Sequence, residues 1–228
     1  YTAASEVTTS FSVGQGSQSI SFGALTNRTY GGAPFTLSAT ASSGLAVSYS
    51  SSSTNISLAS NMVTILGAGT ATITASQAGN SNWSAATPVS QNLVIGQASQ
   101  TIGAFTTVPN QTYSNGASVT ITAPTASSGL PVTVTVKSGP ATISGNTVSI
   151  TGVGTVVLAA NQAGNANYTA ASEVTTSFSV GQGSQMIGAF ATIPGHAYGD
   201  APFVVTAPTA SSGLPVVLSV LSGPATMS

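Results

Sequence analysis

This chain repeats itself, and that repetition constrains its fold more than any other property. GQGSQSI at Gly14, GQASQTI at Gly96 and GQGSQMI at Gly181 lie 82 residues (96 minus 14) and 85 residues (181 minus 96) apart. Tyr1, Trp83 and Tyr168 keep the same two intervals and so are equivalent positions. The opening stretch YTAASEVTTSFSVGQGSQ returns unchanged at residues 168–185. A fixed period of this length marks supersecondary units placed in series. The register predicts a first repeat at residues 14–95, a second at 96–180 and the N-terminal part of a third, truncated one at 181–228. Residues 1–13 then read as the last strand of a preceding, incomplete repeat.

Within each period the pattern is that of strands. Apolar and β-branched residues alternate with polar ones, and Gly, Pro and Asn punctuate the runs. The second repeat predicts seven strands, at residues 102–105, 119–123, 132–136, 141–143, 148–151, 155–160 and 174–180. Val132, Val134 and Val136 should face inward, with Thr133 and Thr135 toward water. Ser144-Gly145-Asn146 should close a hairpin, Ser128-Gly129-Leu130-Pro131 should start a strand and Gly164-Asn165 should end one. Seven short strands in such a period fit an immunoglobulin-like β-sandwich, with a small barrel as the competing topology. The junctions Gly14-Gln15-Gly16, Gly96-Gln97-Ala98 and Gly181-Gln182-Gly183 leave three to four residues between sandwiches. So little slack predicts end-to-end stacking as a rod, roughly 35 to 45 Å per repeat.

The phrases TYGGAPFTLSATASSGLAVSYSS, AYGDAPFVVTAPTASSGLPVVLSV and GVGTVVLAANQAGNANYTAA resemble the bacterial immunoglobulin-like repeats of the MBG type. Those occur as tandem arrays in large secreted and cell-surface proteins. The resemblance extends over essentially the whole chain and implies a β-sandwich module in an extracellular setting. The second repeat departs from it at Tyr113-Ser114-Asn115-Gly116, and the first has Gly32 where the third has Asp200.

Charge is almost absent. Arg28, Lys137, Glu6, Glu173 and Asp200 are the only charged residues, 2% of the chain, where roughly a quarter is usual. Without clustered Lys and Arg there is no footprint for nucleic acid or for an anionic membrane. A net charge near zero also removes the repulsion that keeps domains apart, which favours self-association. The chain has no cysteine, so neither disulfides nor thiolate metal sites can staple it. No apolar run is long enough to cross a bilayer as a helix.

No catalytic, metal or cofactor site is expected. Each repeat has at most one carboxylate of its own, too few for paired acid–base work or for calcium. His196 with Asp200 four residues on invites a triad, but its counterparts are Arg28 and Gln111, so it reads as a variable loop position before the tyrosine. A Lys–Asn isopeptide bond could only use Lys137, whose counterparts are Ser52 and Leu221. Tyr1, Trp83 and Tyr168 read as structural aromatic anchors that cover one end of the core and hydrogen-bond through their polar edge. Asn27, Asn55, Asn82, Asn110 and Asn167 are candidate N-glycosylation sequons. The expected function is structural rather than enzymatic: part of a long extracellular protein forming a cell-surface fibre, stalk or filament, its partners other copies of itself. The alternatives are an adhesin or carbohydrate-binding array, or the spacer region of a secreted enzyme.

Overall fold

A computed structural model of the chain describes residues 1–227, so Ser228, the last residue of the third repeat, lies outside the described part. Sixteen strands and no helix occur among the described residues. They group into two compact units. The first comprises Tyr1–Thr101 with Ala126–Leu130 and Gln162–Ser172; the second comprises Ile102–Thr125, Pro131–Asn161 and the chain from Glu173 onward. The division runs through the second repeat, one end of which belongs with the first repeat.

In the first unit the strands are β1 (Ile20–Phe22), β2 (Arg28–Thr29), β3 (Phe35–Thr36), β4 (Ala39–Ala41), β5 (Ser48–Ser50), β6 (Ile56–Ala59), β7 (Met62–Ile65), β8 (Gly69–Ser76) and β9 (Val89–Gly96). One sheet runs β2-β9-β8-β5; facing it are β3-β7-β6 and the pair β1-β4. β3 and β4 are one strand interrupted at Leu37 and Ser38, where the Leu37 N–H donates to Asn61 O at 2.7 Å. The alternation of β8, GTATITAS, explains its place: Ala71, Ile73 and Ala75 are wholly buried while the threonines between them face out. Leu93 and Ile95 of β9, and Val63 and Ile65 of β7, complete that core.

The second unit repeats the plan with β10 (Gln111–Thr112), β11 (Ser118–Thr120), β12 (Thr133–Ser138), β13 (Ala141–Ser144), β14 (Thr147–Ile150), β15 (Gly154–Asn161) and β16 (Val174–Gly181). Its sheets are β10-β16-β15-β12 and β11-β14-β13. Nine strands in the first repeat and seven in the second, set as facing sheets, make each an immunoglobulin-like β-sandwich. The two cores fill the same space differently. Where the first has Ala71 and Leu93, the second has Val156 and Phe178, and the first compensates with Tyr49, edge-on to Phe22 at 5.8 Å, where the second has Val134.

The expected inward valines are right in pattern, half-buried at 132, 134 and 136 with exposed threonines between. The hairpin at Ser144-Gly145-Asn146 forms, with Ser144 opposite Thr147 and Gly145 at φ 58°. The first repeat makes the same turn with Ser60 at φ 56°, the one non-glycine of positive φ among the described residues.

Two expectations need correction. The strand placed at residues 102–105 shrinks to a single bridging residue, Ile102, because the Gly103 at its centre adds no side chain to pack. The segment before the tyrosine is not a loop in the first two repeats. Arg28 and Gln111 lie on β2 and β10, which pair in parallel with the last strands β9 and β16. The one lysine, Lys137, sits on edge strand β12 at a register shift between Val136 and Ser138, two devices that blunt this edge.

Residues 1–13 form no strand and are exposed throughout, whereas the identical residues 168–180 run into β16, where Phe178 and Val180 are each 3% exposed.

Candidate functional site

The sequence signatures of the repeat converge on one pole of each sandwich, where they build a polar clasp. In the first repeat the Gly16 N–H donates to Asn82 O and the Ser84 N–H to Gly16 O, both at 2.9 Å, which makes Gly16 and Trp83 a parallel bridge. Gln18 Nε2 donates to Gln77 Oε1 at 2.9 Å and to Ser84 O at 2.7 Å, while Oε1 of Gln18 accepts from the Ser43 hydroxyl at 2.5 Å. Asn80 Oδ1 accepts from the N–H groups of Asn82 and Trp83 at 2.9 and 3.0 Å. The phrases GQGSQ, ASSGL and QAGNSNW thus meet in one network.

The second repeat reproduces it. Gln100 Nε2 donates to Gln162 Oε1 and to Thr169 O, each at 2.8 Å, and the Ser128 hydroxyl donates to Gln100 Oε1 at 2.5 Å. Among the described residues Gln100, 6% exposed, is the one buried polar residue, and no buried side-chain polar atom lacks a partner. A buried amide with both ends satisfied fixes a single arrangement, because any other would strand it. The glycine of the QAGN phrase is required by space. A Cβ on Gly164, at φ 79°, would lie 2.3 Å from Tyr168 O, and Gly79 is placed identically against Trp83 O. In the third repeat Ser212 bonds Gln185 and the Met186 N–H donates to Ser211 Oγ at 2.9 Å.

The clasp corrects the expectation that the junction phrases are linkers of three to four residues. Gly96 is still a rung of β9, paired with Thr29, and its carbonyl accepts from the Tyr30 N–H at 2.9 Å. Ala98 already bridges Tyr168. Only Gln97 lies between them, with its Nε2 donating to Asn165 O at 2.7 Å. Gln15 does the same to Asn80 O at 2.7 Å. Gly14 is exposed, and Gly181 ends β16, where its carbonyl accepts from the Tyr113 N–H at 2.9 Å. Gln182 and Gly183 follow, and a Cβ on Gly183 would stand 2.3 Å from Tyr113 O.

The first unit also contains a joint between repeats. Asn167 Oδ1 accepts from the Ala68 N–H at 2.8 Å, and the Tyr168 ring meets Tyr30 edge-on at 5.4 Å. Tyr168 is therefore an anchor, but against the neighbouring repeat and not over its own core. Trp83 is half-buried and packs its ring against Gly16, while Tyr1 is fully exposed. The tyrosine hydroxyl that ties down main chain is that of Tyr49, which accepts from the Ala39 N–H at 2.7 Å. Of the sequon asparagines, Asn167 is used by the joint, Asn110 Oδ1 accepts from the Ser179 N–H at 2.9 Å, and Asn55 packs against Gly67 and Gly69. Asn27 and Asn82 are exposed.

The chemical candidates are drawn into packing. His196 stacks flat on Phe203 at 3.9 Å and stands 3.5 Å from Asp200. Arg28 lies over Phe35 at 4.4 Å in the matching place, while the second repeat has Gln111 and Val119 there. The position that varies among repeats is thus half of a matched pair: cationic or imidazole where the partner is aromatic, neutral where it is aliphatic. Lys137 Nζ bonds Glu173 Oε1, and Asn161 Nδ2 bonds Oε2 at 3.3 Å. The lysine bond, with help from the amide, holds the Glu173 carboxyl below its ordinary range. Lys137 and Glu173 are 53% and 36% exposed. Lys137 is thus set on a carboxylate and not on an asparagine carboxamide, the group a Lys–Asn isopeptide bond needs. No group of three or more metal-ligating side chains occurs among the described residues. No helix among them is long and apolar enough to cross a membrane.

A concave apolar surface in the third repeat is lined by Phe190, Phe203, Val205 and Val220. Val205 is the counterpart of Leu37 and Ile121, both buried core residues, so this surface is sandwich interior by descent of position.

The clasp residues Gln18, Gln77, Ser43, Gln100, Gln162 and Ser128, and the joint residues Tyr30 and Ala68, were not apparent as a site from sequence. The signal was there in the fixed offsets at which GQxSQ, SSGL and QAGN recur.

No protein-family model matches the chain and no curated protein sequence does. Among solved structures it is similar to human protocadherin-24 EC1-2, at 13% identity over 66% of this chain and 88% of that one, TM-score 0.31. It is similar to Drosophila N-cadherin EC1-4, at 11% identity over 72% of this chain and 50% of that one, TM-score 0.26. It is also similar to Sidekick-1 immunoglobulin domains 1-5, at 13% identity over 77% of this chain and 40% of that one, TM-score 0.31.

Proposed function

We propose that the chain is a structural segment of a long extracellular repeat protein of the MBG type, in which successive β-sandwiches are locked in series to make a cell-surface fibre, stalk or filament. One observation carries this reading: the residues that define the repeat are spent on the clasp and on the Asn167–Ala68 and Tyr168–Tyr30 joint. A binding or catalytic array would instead concentrate its distinctive residues around a pocket. The near absence of charge suits a protein whose copies lie against one another. Self-association of the repeats, end to end or side by side, follows from the same reading, and enzymatic activity does not.

Negative-stain electron microscopy of the purified chain over a range of concentrations is the test. Regular filaments or ordered bundles are the expected outcome. Particles that stay monodisperse and monomeric at every concentration would sink the self-associating part of the proposal.

A further inference from the structure

The chain has a single Asn-Gly dipeptide, Asn115-Gly116, between β10 and β11. The Ala117 N–H donates to Ser114 O at 3.0 Å and closes a turn with Asn115 and Gly116 at its centre. Both residues are exposed, Gly116 has φ 78°, and a Cβ there would meet nothing within 4 Å. The corresponding turns, closed by Gly32 N–H on Thr29 O and Asp200 N–H on Ala197 O, carry Tyr30-Gly31 and Tyr198-Gly199 at their centres, so the second repeat alone sets a side-chain amide before the glycine.

We propose that Asn115-Gly116 is a self-modifying site, where the turn converts the Asn115 amide to a carboxylate with water as the only co-reactant. The Gly116 main-chain nitrogen, having given its proton to solvent base, attacks Cγ of Asn115. The Cγ–Nδ2 bond breaks, and ammonia departs after taking up a proton from water. A five-membered succinimide remains. Water opens it at either carbonyl, leaving an aspartyl residue or its isoaspartyl isomer. Amide plus water becomes acid plus ammonia, and nothing is oxidised or reduced. Glycine leaves the attacking nitrogen unshielded, and the open turn leaves room for the ring.

The product adds a negative charge to a chain of formal net charge -1. It does so two residues from Tyr113, whose N–H is bonded to Gly181 O where the second repeat passes into the third. The isoaspartyl branch also lengthens the main chain by a methylene next to that crossing.

The proposal stands apart from the fibre reading and is tested apart from it. The full chain is held at mildly alkaline pH, and its intact mass and peptide map are followed over days. The expected result is the mass change of exchanging an amide for an acid, confined to position 115, split into two isomeric forms, and absent from Asn115→Gln. An unchanged mass while a short peptide of the same sequence converts would overturn it, as would conversion at a different asparagine.

Discussion

Asn167 of the second repeat caps the Ala68 N–H of the first at 2.8 Å, and this one bond turns a sequon asparagine into part of a joint. Replacing Asn167 with Ala leaves that donor without its partner. The expected cost is about 1 to 2 kcal/mol in chemical denaturation of the full chain. Amide exchange at Ala68 should quicken in the same variant. Unaltered exchange there would show that the bond does not hold the joint.

Gln100 should be the most costly polar residue to lose. Gln100→Ala removes bonds to Gln162, Thr169 and Ser128 at once. A loss of roughly 2 to 4 kcal/mol is expected, since three bonds of a buried amide go together and the Thr169 carbonyl and the Ser128 hydroxyl each lose a partner. Gln15→Ala, which deletes a single exposed bond of the first repeat's clasp, should stay within about 0.5 kcal/mol. Equal effects at the two positions would mean that the network is not cooperative.

The hairpin turns offer a swap. Ser60 holds a left-handed conformation that Gly145 adopts at the matching place. Ser60→Gly should stabilise the first repeat by about 0.5 kcal/mol, the relief of strain being partly offset by the freedom glycine gains when unfolded. Gly145→Ser should destabilise the second by a similar amount. Differential scanning calorimetry reads both, and changes of the same sign would refute the argument.

Arg28 and Phe35 form a pair that can be tested as one. A double-mutant cycle with Arg28→Gln and Phe35→Val, which copies Gln111 and Val119, should give a coupling of about 0.5 to 1 kcal/mol. Additive single effects would make the matched variation among repeats a coincidence.

Glu173 sets a pH dependence. Its carboxyl titrates below the ordinary value of 4.5 because Lys137, then Asn161, bond the charged form. A depressed folded value contributes stability that is present above the unfolded value and lost as pH falls through the folded one. The loss should therefore appear on the acid side of about pH 4.5 and vanish in Glu173→Gln. Because the pair is solvated, the effect should be small and should shrink with added salt.

The period, the all-β class and the Ser144–Thr147 turn were legible because each is written locally, in alternation and in turn residues. β2 and β10 were not. Arg28-Thr29 and Gln111-Thr112 are two-residue polar strands, and only the parallel partner at the far end of the repeat makes them strands. The clasp was hidden for a related reason. Gln18 and Gln77 are 59 residues apart, and a glutamine beside glycines reads as linker until the partner is seen. His196 and Arg28 looked variable because their partners, Phe203 and Phe35, lie on a different strand or segment.

The single residue between Gly96 and Ala98 also explains where the repeats differ in length. From Leu45 to Gly96 and from Leu130 to Gly181 the spacing is the same, 51 residues (96 minus 45, 181 minus 130). All three residues by which the periods differ fall earlier, between Gly14 and Leu45 and their counterparts. Residues added there are absorbed within the first half of the repeat, where Val108 of the longer segment packs into the core, whereas one added beside Gln97 would push Gly96 off Thr29 or Ala98 off Tyr168. Gene duplication can therefore lengthen such an array by whole periods, and edit each period on its first half, without the reading frame of contacts between neighbours ever slipping.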